Sequence, residues 1–151
     1  MNFIVKAIAT GLGTGLCPVA PGSVGTLLGI PIYLVLAGCH WLVFLSGIVL
    51  ISAIAVYASG AFETASGQKD PGRIVIDEIA GFQVALFLVA PTVWHVIAGY
   101  ALFRFFDIVK LYPANLCETK LPGGYAVVMD DIIAGIYANI VLRIAILLWG
   151  I

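Results

Sequence analysis

Seven Lys or Arg and eight Asp or Glu are all the formal charge this 151-residue chain carries, and nearly all of it falls between alternate apolar runs. The runs cover residues 24–38, 41–60, 79–89, 93–106 and 132–151. Such hydropathy predicts an all-α fold: a polytopic membrane helical bundle of about five membrane-embedded helices with short hairpin turns. The last run is the clearest, since its twenty residues rise ~30 Å at ~1.5 Å each, the thickness of a hydrocarbon core. The third and fourth reach that length if they start at Ile74 and end at Lys110. Asp77, Glu78, Arg104 and Asp107 then sit at the membrane boundary or just below it.

The connections alternate in character. Lys6 precedes the first run, residues 63–78 separate the second and third, and residues 104–131 separate the fourth and fifth; all are charged. Residues 38–40 and 90–92 are uncharged turns. Every acid and six of the seven basic residues therefore fall on one face, which the positive-inside rule makes cytoplasmic. Arg143 is the exception. It lies four residues after Asn139 on one helical stripe, as an interhelical contact or a side chain snorkelling to the far interface.

Composition excludes other classes. With 62% hydrophobic and 10% charged residues and a mean hydropathy of +1.13, the chain lacks the ~25% charged residues that coat a soluble globule. A net charge of -1 provides no basic field for nucleic acid. Cys17, Cys39 and Cys117 have neither metal-ligand spacing nor an even count, and read as apolar fillers. The N-terminus lacks a long apolar stretch, so no cleaved signal peptide is expected. One membrane-embedded domain over residues 1–151 is predicted.

Three acidic clusters fall at predicted helix ends on the charged face: Asp77 with Glu78, Asp107, and Asp130 with Asp131. Each acid alone could be a cap or a dipole partner. Five together near lipid repel and lose hydration unless cations neutralise them, and oxygen donors with open positions suit Mg²⁺. Asp77, Glu78, Asp130 and Asp131 are the candidate metal ligands. Arg104, Asp107 and Lys110 recur every third residue along one side of a helix. They form either intrahelical ion pairs or a carboxylate flanked by two phosphate-binding cations. Before the first long run, Ser23 occupies an expected N-cap in a glycine-rich stretch. That stretch is either an anion site at a helix start, with Ser23 and Thr26 as phosphate contacts, or a flexible interfacial loop. No strand precedes its GxGxG, which excludes a dinucleotide fingerprint.

Missing residues remove several phosphatase chemistries. No Cys is followed six positions later by Arg, no Asp-x-Asp exists, and His40 and His95 lie near the uncharged face. A carboxylate and metal mechanism remains, with direct attack by metal-bound water as the expected route and an aspartyl phosphate on Asp77, Asp107 or Asp130 as the alternative.

Four blocks now stand together: GLGTGLCPVAPGSVGTLLGIP at 11–31, DPGRIVIDEIAGF at 70–82, FRFFDIVKLYP at 103–113 and GGYAVVMDDIIAG at 123–135. In this order they resemble the phosphatidylglycerophosphatase A family of bacterial membrane lipid phosphatases. The resemblance implies Mg²⁺-dependent removal of the terminal phosphate of phosphatidylglycerophosphate at the cytoplasmic leaflet of the inner membrane. It carries the acidic positions onto Asp77, Glu78, Asp107, Asp130 and Asp131, and the basic ones onto Arg104 and Lys110. Leu111 departs from the family pattern, which has Pro after the Lys; Cys17 stands where Ser is familiar. The lipid substrate is the expected partner, with neither nucleic acid nor a protein partner. The rival readings are a proton- or cation-coupled carrier using the acids, and a CDP-alcohol phosphotransferase, whose DGxxAR signature is absent.

Overall fold

Helix starts and stops follow local chemistry. The structure, a computed structural model, describes residues 2–150, the side chains at 118 and 119 excepted. Helix α1 (Phe3–Ala9) opens on Asn2, whose side chain accepts from the Ile4 amide at 3.1 Å. A 3₁₀ turn at Thr14–Leu16 leads to α2 (Pro21–Ala37), where Pro21 pre-sets a helical φ and lacks an amide that a first turn leaves unpaired anyway. Helix α3 (Trp41–Ser66) is capped by His40 and ends at Gly67 in the left-handed region. After α4 (Ile76–Ala85), Thr92 Oγ1 caps α5 (Val93–Val109) by accepting from the His95 amide at 3.2 Å. A short α6 (Ala114–Lys120) precedes α7 (Gly124–Trp149). Among the described residues there is no strand, as the all-α reading requires.

Helix α4 lies inside the bundle, with α7, α2, α3 and α5 packed around it. Its burial includes Ile79, Ala80, Phe82 and Ala85, and Phe82 joins Tyr33, Phe103, Leu86 and Leu142 in the main core. Close approach to α7 depends on two glycines. A Cβ on Gly81 would strike the Asp131 backbone, and one on Gly135 would strike the Gly81 carbonyl. This crossing sets the distance between the acids of α4 and those of α7.

Several boundaries differ from those drawn by hydropathy, and three of the differences bear on the site. The fifth run was expected from Ile132, yet α7 starts at Gly124; residues 124–131 are less apolar on average but helix-compatible. Asp130 and Asp131 therefore sit nearly two turns inside α7 rather than at its start. The third run was expected to reach Val89, but α4 has only ten residues, ~15 Å of rise. The carbonyls at its end and in the turn after it are satisfied by α7: Asn139 Nδ2 donates to Ala85 and Phe87 at 2.9 and 3.0 Å, and Arg143 Nη2 to Phe87 and Leu88 at 3.0 and 3.2 Å. Arg143 is thus an interhelical contact. Ser23 is the third residue of α2 and makes no cap; Ala20, in the left-handed region, holds the cap position.

Helices α3 and α7 are each 26 residues long and apolar enough to cross a membrane. Only 28% and 22% of their apolar stretches are buried, the opposite of a soluble core helix. Leu147, Trp149 and Trp94 are exposed, so the bundle's outside is apolar and suits lipid. By length and composition two helices qualify as crossings rather than all five apolar runs, since α2 and α5 have 17 residues each. The fifth run's terminal Ile151 lies outside the described residues.

Candidate active site

All five candidate acids and both candidate cations come together at one end of the bundle, from the start of α4, the end of α5 and the second turn of α7. Arg104 on α5 bridges two acids, with Nη1 3.2 Å from Glu78 Oε1 and 2.8 Å from Asp107 Oδ2. Lys110 reaches α7 instead of its own helix, placing Nζ 2.9 Å from Asp130 Oδ2. A left-handed backbone at Lys110 ends α5 there and turns its side chain out of the helical row. Asp107 and Asp131 share a hydrogen bond between their carboxyls, and the Asp131 amide donates to Asp130 Oδ1 at 3.1 Å.

Burial makes this cluster costly. Asp77, Asp130 and Asp131 are 7, 6 and 3% exposed. Asp77 Oδ1, Glu78 Oε2 and Arg104 Nε are buried without a hydrogen-bond partner, a state that native proteins mostly avoid. Burial, and secondarily the Glu78 charge, holds the Asp77 carboxyl well above the usual carboxylate range. Burial also raises Glu78 to about 7, against the pull of Arg104.

The glycine-rich segment has a structural use that neither sequence reading foresaw. Gly15 packs on the Arg73 carbonyl and Gly25 on the Val75 side chain, while the Val75 amide donates to the Ala9 carbonyl at 2.9 Å. The segment is therefore a clamp on the chain entering α4. A Cβ at Gly22 would fall on the Glu78 carboxylate, so this glycine is what admits Glu78 to the start of α2. Thr26 is fully buried and its hydroxyl donates to the Gly22 carbonyl at 2.8 Å; the Ser23 carbonyl accepts from Tyr100 Oη at 3.1 Å. Of the two proposed phosphate contacts, only Ser23 retains some exposure.

Asp70 is a sixth acid at the site that the sequence reading passed over. Its charge acts on Asp77, Glu78 and Asp130, its φ is +44°, and its amide donates to Glu63 Oε1 at 2.7 Å. Its signal was its place at the head of the 70–82 block, seven residues before Asp77.

The residues absent from the cluster are equally informative. His40 and His95 belong to the opposite end, where one caps α3 and the other places Nδ1 2.9 Å from the Ala90 carbonyl. Burial and the charge of Asp130 push the Cys117 thiol up, keeping it protonated. Among the described residues, no three His, Cys, Asp or Glu side chains form a ready metal cage. The hard oxygen donors, two of them unpartnered, fit a Mg²⁺ site of few protein ligands completed by water and phosphate.

An apolar helical bundle with carboxylates buried at one end, three of them paired with Arg104 and Lys110, is the build of a membrane-type protein. Residues 7–146 match the model of the family described as phosphatidylglycerophosphatase A, and the chain belongs to that family. It is 37% identical to a Haemophilus influenzae protein named phosphatidylglycerophosphatase A, over 91% of this chain and 85% of that one. An Escherichia coli protein of the same name is 32% identical over 85 and 76%. A Bacteroides thetaiotaomicron protein named "Putative phosphatidylinositol-3-phosphatase" is 37% identical over 95 and 94%. No solved structure matches.

Proposed function

We propose that this protein hydrolyses the terminal phosphate monoester of phosphatidylglycerophosphate, with Mg²⁺, giving phosphatidylglycerol and phosphate. In this reading it is a multi-pass protein of a bacterial inner membrane with its active site on the cytoplasmic face. One observation carries it: in a chain of this family, carboxylates from three helices meet Arg104 and Lys110 at the same buried end. A carrier would need polar groups continuing across the bundle. Here the far end holds Arg143, which is occupied with the carbonyls closing α4.

Mg²⁺ would be held by one or two of Asp77, Glu78, Asp130 and Asp131, and when bound it supplies positive charge to the phosphate oxygens. In the resting site Arg104 and Lys110 neutralise Glu78, Asp107 and Asp130. An incoming phosphate dianion competes for both cations, which then offset charge on its oxygens. Asp107 orients water and takes its proton as the water oxygen attacks phosphorus. The bond from phosphorus to the glycerol oxygen breaks, and that oxygen gains a proton. Phosphate monoesters demand acceleration of up to ~10²¹-fold, so such charge complementarity must supply most of the rate.

The test is phosphate release by the purified protein in detergent, with Mg²⁺ and with chelator. Release from phosphatidylglycerophosphate that stops on chelation is expected. No release overturns the reading; faster release from phosphatidylinositol 3-phosphate favours the substrate in the Bacteroides relative's name.

A further inference from the structure

Two adjoining hollows run along the outside of the bundle from the N-terminal helix. One, of about 360 Å³, lies between α1, α2 and α4 and is walled almost wholly by carbon, with Ala7, Ile8, Leu28, Ile32, Ile76 and Ile79 as its main surfaces. The other, of about 370 Å³, shares Ala7 and Leu12 with the first and contains Lys6. Both volumes fall in the ~300–1,000 Å³ range of small-molecule sites.

We propose that this groove binds the diacyl half of a phospholipid, with the Lys6 ammonium at its mouth contacting the phosphodiester. Charge complementarity selects that occupant. Lys6 is exposed, forms no ion pair among the described residues, and is the cationic side chain lining the hollow. Around it, Phe3, Leu12 and Leu16 are 82, 84 and 51% exposed. Large apolar side chains encircling a cation suit a headgroup boundary, where the rings and aliphatics enter lipid and the ammonium meets phosphate.

The groove also borders the catalytic end. Ile76 and Ile79 on its α4 wall bracket Asp77 and Glu78, whose side chains serve the site. On its α2 wall, Leu28 follows Gly22, the residue that admits Glu78, by less than two turns. A lipid held by its diester and chains here presents its terminal phosphate toward the acids. This assignment rests on the lipid phosphatase reading only for what lies at the far end of the headgroup.

The experiment uses the full chain in detergent with phosphatidylglycerol bearing a photoactivatable acyl chain, and a diacylglycerol probe with the same chain. Mapped crosslinks are expected at residues 7–12, 28–32 and 76–79. Lys6→Gln should lower phosphatidylglycerol labelling there about fivefold, the scale of one partly screened contact to an anion, and leave diacylglycerol labelling unchanged. Ile32→Trp and Ala7→Trp, checked for folding by thermal melt, should lose groove labelling by both probes. Crosslinks spread over α3 and α7 without enrichment in the groove, or Lys6→Gln labelling equal to the parent's, would overturn the proposal. Phosphatidylglycerol has no terminal phosphate, so groove labelling with no phosphate release from phosphatidylglycerophosphate would sink the activity reading alone.

Discussion

Asp77 holds a buried oxygen with no partner beside other acids, an arrangement that costs folding energy and makes sense as a waiting ligand position. Because its folded-state pKa lies above the unfolded value, stability falls as pH rises through that interval. Asp77→Asn should therefore lower turnover ~10²-fold or more while melting at or above the parent temperature at pH 8. Phosphate release and thermal melts in detergent check both halves; near-native turnover would make Asp77 a structural cap. Lys110 behaves in the opposite way, because it neutralises Asp130, which is 6% exposed. Lys110→Met should cost about 2 kcal/mol, reduced from the fully buried case by the partial exposure of the ammonium. Adding Asp130→Asn should restore melting but not activity. If the single variant melts like the parent, the ion pair contributes nothing to the fold.

Helix α4 is the element on which the site depends, and its short length is supported from α7. Asn139 supplies a donor to its last carbonyl, and Asn139 and Arg143 supply donors to the turn that follows it; in a bilayer no water replaces them. Arg143→Met should lower stability by about 1–3 kcal/mol through unsatisfied carbonyls, with turnover per folded molecule nearly intact. Melting and activity measured on the same preparation separate the two effects. A large fall in turnover at unchanged stability would give Arg143 a role in the reaction. At the other end, the clamp of glycine-rich segment on residues 73–75 delivers Asp77 and Glu78 to the cluster.

For the whole molecule, the proposed topology has the loop before α4 on the cytoplasmic side and the turn before α5 on the other, as the alternation of charged and uncharged connections suggests. Single cysteines at Lys69 and Thr92, both exposed, test this in a background lacking Cys17, Cys39 and Cys117. An impermeant thiol reagent applied to intact cells should label position 92 and spare 69. The reverse pattern would invert the topology and move the site to the opposite leaflet.

Hydropathy and charge placement made the helical class, the one-sided cluster and its seven residues legible, because each depends on composition along a line. Family blocks in order added the chemistry. Tertiary structure decided how those residues pair. Spacing along α5 allowed Lys110 an intrahelical partner, but the left-handed turn there sent it to Asp130. Averaged hydropathy placed the fifth helix at Ile132; helix formation continues to Gly124 because packing stabilises turns that apolarity alone does not mark. Gly22 read as part of an anion site or a flexible loop, whereas its missing side chain is space for Glu78. Asp70 went unnoticed in the sequence because only the fold brings its charge to bear on Asp77, Glu78 and Asp130. Pattern along the chain determines which residues reach an end of the bundle, and contacts between distant segments determine which of them meet.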